Sequence, residues 1–174
     1  MTMHTTKHAV AFSPDAQNTK LLRNALGQFA TGVTVVTAAS RDGPVGITVN
    51  SFSSVSLDPP LVLWSISKGS RRYQYFEGAE HYAIHVLGAH QSDLCHGFSK
   101  SAHVLRDLPH GVNENGVPVI DACLARFECV RVAGHHGGDH LIVVGQVVQA
   151  EVRGGDALAF FAGEFRHVAH KSDG

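Results

Sequence analysis

Two β-branched runs separated by a turn constrain this chain more than anything else in it. Gly32-Val33-Thr34-Val35-Val36-Thr37 and Gly46-Ile47-Thr48-Val49-Asn50-Ser51-Phe52 read as consecutive strands, over Val33–Ala39 and Val45–Ser53. Branched side chains crowd a helix but pack well on a pleated surface. Arg41-Asp42-Gly43-Pro44 supplies the turn, so the pair predicts an antiparallel hairpin. Among the apolar positions sit Thr34, Thr37, Thr48, Asn50, Ser51, Ser53, Ser54 and Ser56. They are neutral donors and acceptors with no obvious acid, base or nucleophile beside them. Two readings stay open on spacing alone. One is a Thr/Ser-rich hairpin with no ligand; the other is an edge that receives a flat heteroaromatic molecule carrying its own chemistry.

Further strands are expected at Leu61–Ser67, His81–Leu87, Cys123–Val132, Leu141–Val152 and, briefly, near Phe165–Val168. Helices are expected over about Asn18–Ala30, Ser70–Glu77 and Gln91–Phe98, the first carrying Leu21, Leu22, Ala25, Leu26 and Phe29 on one face. Asp58-Pro59-Pro60 predicts an extended turn before Leu61, and 99–116 predicts a long loop. Hairpin-like connections without a regular strand–helix alternation argue for a mostly β fold, largely antiparallel, with flanking helices. With 174 residues there is room for one domain, placed at 16–170 behind a polar tail at 1–15.

Lys plus Arg number 14 against 15 Asp plus Glu, so no strong field recruits nucleic acid or an anionic membrane. No apolar stretch reaches the length of a membrane span, and Met1–Ser13 lacks the pattern of a cleaved leader. Cys95, Cys123 and Cys129 are odd in number and include no Cys-x-x-Cys pair. That fits a reduced, cytoplasmic compartment in which each thiol is a small buried hydrophobe.

A second cluster lies at His135-His136-Gly137-Gly138-Asp139-His140. Its two glycines disfavour the helix that would align an i, i+4 ligand pair, and no further ligand stands nearby, so no metal is expected. Lys68, Ser70 and Arg71 read equally as a cap with two solvated charges or as an anion site at a helix N-terminus.

Taken in order, these residues resemble the short-chain flavin reductases, the small components of two-component flavin monooxygenases, over roughly Leu21 to Val168. The resemblance implies a Greek-key-like split β-barrel that binds FMN or FAD in a groove near a homodimer interface. It implies hydride transfer from NADH or NADPH to the flavin, and delivery of reduced flavin to a monooxygenase partner. On the same resemblance Gly32, Val33, Thr34, Val35 and Val36, then Val49, Asn50 and Ser51, then Val55 and Ser56 line the flavin, with His81 and Tyr82 also in contact; Ser70 is a candidate for its phosphate on the helix N-terminus argument alone. Gly138-Asp139-His140, followed by Gly145, looks like the family's Gly-Asp-His signature. It makes His140 the contact to nicotinamide and flavin, its neutral imidazole donating to the carboxamide, and Asp139 the residue that orients the loop and fixes the tautomer. The alternative is a split-barrel flavoprotein that holds FMN permanently, as an oxidoreductase or as a non-catalytic redox module. The chain departs from the family at Ser101–Asp107, which has no aromatic, at Ala157-Leu158-Ala159-Phe160-Phe161, and at Phe165 where a Tyr is frequent. Those departures leave the nucleotide preference and the shape of the lid open.

Overall fold

The computed structural model describes residues 9–170, so the expected tail lies outside the described residues as far as position 8. Residues 9–15 carry no helix or strand. Helix α1 (Thr19–Leu26) ends four residues earlier than its apolar face suggested. Gly27 is a weak helix former, and its carbonyl is taken by the Ala162 N–H at 2.7 Å. Gln28 and Phe29 bond back only three residues, which tightens the exit.

β1 (Thr31–Gly32) leads into β2 (Thr34–Ser40), and β2 turns into β3 (Gly43–Val49) as the expected hairpin, with Gly43 at φ +94° in the turn. The next hairpin was not foreseen: β4 (Ser53–Leu57) pairs with β5 (Pro60–Ser67), so Asp58-Pro59 is a tight turn rather than an extended link. The sequence hides β4 because it is Ser-rich, mostly exposed and broken by a bulge between Ser54 and Ser56. Helix α2 is a single turn (Tyr73–Phe76), β6 spans His81–Val86, and α3 covers Ser92–Lys100. The expected loop at 99–116 is folded down: a 3₁₀ turn at Val104–Arg106 buries Leu105, and Ala102 accepts the Gly46 N–H at 2.8 Å. A small ribbon, β7 (Gly111–Val112) with β8 (Pro118–Val119), precedes two long strands. These are β9 (Ala125–Gly137) and β10 (His140–Val152); the chain ends in the hairpin β11 (Ala157–Phe161) and β12 (Glu164–Val168).

One seven-stranded sheet runs β3-β2-β6-β9-β10-β5-β4, every pair antiparallel, and a second runs β1-β11-β12. Its two edges, β3 and β4, are consecutive in the chain. Laid flat, seven strands would separate those edges by about 29 Å. The link from Val49 to Ser53 reaches at most about 14 Å, so the sheet must curl. Inside the curl lie Val36, Ile47, Trp64, Tyr82, Ile84 and Val143; on the other face Val33, Val35, Leu105 and Leu158 pack with Phe98 of α3. Burial on both faces is why β2 carries no apolar–polar alternation. All three cysteines are buried and unpaired. No described helix is long and apolar enough to cross a membrane.

Candidate active site

The hydroxyls that mark the first hairpin are mostly spent on the fold. Thr34 Oγ1 donates to Val49 O at 2.9 Å, Thr48 Oγ1 to Cys95 O at 2.9 Å, and Thr37 Oγ1 to Pro118 O. Ser51 Oγ both donates to Ser65 O (3.0 Å) and accepts the Ser65 N–H (2.9 Å), standing in for the strand pair that would otherwise continue β4 along β5. What stays open is backbone. The N–H groups of Asn50, Ser51 and Phe52 have no acceptor among the described residues. Of the three, Asn50 lines a slot of about 180 Å³ walled by Val33, Thr48 and Val49 on one side and Phe160 and Phe165 on the other; Ser51 and Phe52 follow it in the chain and are not part of that lining.

Phe160 and Phe165 face each other across the β11–β12 hairpin, ring centroids 5.4 Å apart, and His96 lies 5.0 Å from Phe165. Sequence reasoning missed both rings as site residues, although two aromatics flanking the Gly163 turn were a usable signal.

The remaining expected residues scatter. Gly32 is exposed beside β11, and Val33 forms the slot wall. Thr34, Val35 and Val36 are buried in an inner strand, so their side chains hold the rim in place without reaching it. Val55 and Ser56 sit on the edge strand β4 and do not line the slot; Ser56 Oγ accepts the Asp58 N–H. Tyr82 lies in the core and not at the slot. It is 1 % exposed, packs edge-on to Trp64, and its hydroxyl end occupies the space a Cβ on Gly145 would need, 2.0 Å away. Gly145 is therefore required by the core, and Tyr82 touches no surface site. His81 is also displaced: it lines a separate polar cleft with Asn113, Arg126 and Glu128. There the Glu128 carboxylate accepts from Arg126 (3.2 Å) and Asn113 (2.7 Å).

Ser70 lines a cleft of about 660 Å³ with Arg71, Arg72, Tyr75, Lys100 and His103. Burial, helped by the charge of Arg71, lowers the Arg72 pKa from its ordinary value, and its guanidinium donates to Ser99 O. The cations give this cleft positive charge, to which the single turn of α2 adds little dipole. Lys68 does not join them, because its ammonium lies on Gly138 O at 2.6 Å.

The expected connector at 134–140 is mostly strand. β9 continues through Gly137, leaving only Gly138 and Asp139 as a two-residue turn, with Gly138 at φ +61°. His135 and His136 are neighbours on a strand and point to opposite faces. Among the described residues no three His, Cys, Asp or Glu side chains converge on a metal position. Asp139 Oδ1 lies 2.8 Å from His140 Nδ1. A carboxylate only accepts, so Nδ1 carries the proton, and in the Nδ1–H tautomer Nε2 is an acceptor. In that tautomer His140 accepts at Nε2, where the sequence reading expects it to donate. The same hydrogen bond holds the Asp139 carboxyl below the usual carboxylate range.

Strand β5 brings the two regions together. His140 pairs with Ser67 on one side of β5, and Ser51 is tied to Ser65 on the other. The open N–H row and the imidazole therefore flank one end of one strand, within about 12 Å. A flat ring with carbonyls along one edge fits the donors and the apolar slot, and a carboxamide fits Nε2.

The chain is similar to known proteins over most of its length. Residues 26–169 match the model of the flavin reductase like domain. The chain is 54 % identical over 154 residues to the FMN reductase (NADH) SmoA of Agrobacterium fabrum, covering 88 % of each. It is 41 % identical over 153 residues to the reductase component of the flavin-dependent trigonelline monooxygenase of Acinetobacter baylyi, 87 % of this chain and 49 % of that one. Among solved structures, the NADH:FAD oxidoreductase SgcE6 of Streptomyces globisporus superposes with a TM-score of 0.84 at 34 % identity, over 94 % of this chain and 100 % of that one. With the domain match running through both the open rim and the Gly138–His140 turn, this chain belongs to the flavin reductase family.

Proposed function

We propose that this chain is an NADH-dependent flavin reductase that releases reduced flavin to a separate monooxygenase. The observation that carries the reading is the run of unpaired N–H donors at Asn50, Ser51 and Phe52, which opens at Asn50 on the lining of an apolar slot. Neutral backbone donors and two phenyl rings grip a flat ring without a buried charge, which suits a ligand that must leave again. The chemistry supplied by the bound pair is hydride transfer from nicotinamide C4 to flavin N5, with a proton taken from water.

In this reading the rim donors meet the carbonyl edge of the flavin, and Val33, Val49, Phe160 and Phe165 exclude water from its apolar end. Arg71 and Lys100 attract the phosphate. His140 Nε2 accepts from the carboxamide of the nicotinamide, its ring held by Asp139. The chain thus contributes alignment and proximity, and no general base is required. SmoA is named for FMN and NADH, and the trigonelline relative is named as a monooxygenase reductase component; both names favour this assignment.

The curled sheet is read as a split β-barrel working as a homodimer. Helix α1 buries none of its residues in this chain, and Leu26 and Phe29 are 67 % and 78 % exposed, an apolar surface that suits a second copy. Three unpaired cysteines favour a reducing, cytoplasmic setting.

The test is anaerobic stopped-flow mixing with FMN or FAD and NADH or NADPH, following loss of the oxidised flavin band. Saturable bleaching beyond one turnover is expected with NADH. Tightly held flavin without bleaching would replace the reductase with a binding module.

A further inference from the structure

The tip of the β9–β10 hairpin has little to hold it. Beyond Arg131, β9 pairs with β10 alone among the described residues, and β10 leans on β5. A two-residue turn also leaves its own two carbonyls, those of Gly138 and Asp139, outside the ladder. Both go to one residue. The Lys68 backbone N–H donates to Asp139 O at 2.9 Å, and the Lys68 ammonium donates to Gly138 O at 2.6 Å. Asp139 then takes the Nδ1–H of His140. The wiring is continuous: Lys68 to the turn carbonyls, Asp139 to the ring, the ring to whatever meets Nε2.

We infer that Lys68 is the positioning residue for His140, clamping the Gly138–Asp139 turn so that the imidazole holds one aim. The inference rests on His140 meeting the nicotinamide, as proposed above, and adds to it the residue that sets the angle. It also takes Lys68 away from the flavin phosphate, since its ammonium is engaged by Gly138 O and Lys68 does not line the Arg71–Lys100 cleft. Lys68 is exposed, so its stem contributes little packing and its replacement leaves the core intact.

A double-mutant cycle tests the clamp. Lys68→Met keeps the stem and the backbone N–H but deletes the ammonium. Loss of one charge-assisted hydrogen bond predicts a KM for NADH raised about threefold to tenfold, with kcat held within about twofold. Lys68→Arg restores most of the loss, because a guanidinium also reaches a carbonyl. In the His140→Ala background Lys68→Met adds less than about 1.5-fold, since a clamp has no effect once the clamped ring is gone. Full additivity in that background overturns the inference, as does a change in KM for FMN without a change for riboflavin, which would return Lys68 to the phosphate. If His140→Ala raises KM and Lys68→Met does not, the clamp alone falls. If His140→Ala leaves KM unchanged, the reading of His140 falls and takes the clamp with it.

Discussion

Two histidines in this molecule have the same tautomer and opposite fates. His85 is fully buried in β6: Nδ1 donates to Val35 O at 3.1 Å and Nε2 accepts the Ile120 N–H at 3.1 Å. Burial pushes its pKa down to about 4, so it stays neutral. The His140 side chain is 44 % exposed at a hairpin tip, with Nδ1 on Asp139 and no protein partner for Nε2 among the described residues. Both rings offer an acceptor at Nε2; in one it closes a backbone contact, in the other it faces solvent. Chemistry is available only where the fold leaves a hydrogen-bonding group unfilled. The same distinction separates the spent hydroxyls of Thr34 and Thr48 from the open N–H row at Asn50–Phe52.

The largest test of this contrast removes the buried ring. His85→Ala strands the Ile120 N–H, at about 1–3 kcal/mol, takes a second partner from the ladder-paired Val35 carbonyl and opens a cavity besides. A loss of about 3–5 kcal/mol is expected in urea unfolding, with turnover per folded molecule unchanged. His85 also sets a pH dependence. Its folded pKa lies below the unfolded value of 6.5, so between pH 6.5 and about 4 the unfolded state binds the extra proton and stability falls as pH falls. The full contribution is present above pH 6.5, and about 3 kcal/mol of it is gone below pH 4. Denaturant midpoints measured across that window should slope in the wild type and lie flatter in His85→Ala. Equal slopes would place the proton uptake elsewhere.

Removing the exposed ring should do the reverse. His140→Ala is expected to leave the unfolding midpoint within error and to raise KM for NADH about tenfold, the value of one lost hydrogen bond to an aligned partner. Flavin affinity, read by fluorescence quenching, should hold. A destabilised His140→Ala variant with normal KM would make the two histidines alike and collapse the comparison.

The contrast also explains what the amino acids alone disclose. The β2–β3 hairpin was legible because its strands are buried on both faces and so carry a dense β-branched pattern. Strand β4 and the distal half of β9 were not, since backbone pairing with a neighbour holds them and their exposed Ser, Gly and His side chains carry no period. Gly138-Asp139-His140 was readable as a motif, yet the direction of the His140 hydrogen bond needed the Asp139 geometry. Tyr82 misled because a residue type suited to a ligand is equally suited to a notch over Gly145. Phe160 and Phe165 belong to a separate sheet, and no local pattern ties them to Val49.

A middle-sized effect is expected where fold and site share a group. Ser51→Ala leaves the half-buried Ser65 N–H and carbonyl without their partner, at about 1 kcal/mol of stability. It also frees the Asn50–Phe52 link from β5, so the N–H row loses its fixed aim and Kd for FMN should rise several-fold. Loss of stability without loss of flavin affinity would assign Ser51 wholly to the fold.

The smallest effect probes the link between Asp139 and His140. Asp139→Asn keeps an oxygen that accepts the Nδ1–H, so the tautomer and the Nε2 acceptor survive while the charge is lost. Asp139→Ala removes the acceptor, and the ring is free to turn and to move its proton to Nε2. If acceptance is what matters, Asp139→Asn raises KM for NADH by about twofold while Asp139→Ala approaches His140→Ala. Equal losses in the two would mean that the negative charge beside the ring does the orienting. His85 speaks for acceptance: its proton is held on Nδ1 by a neutral carbonyl, with no carboxylate bonded to the ring.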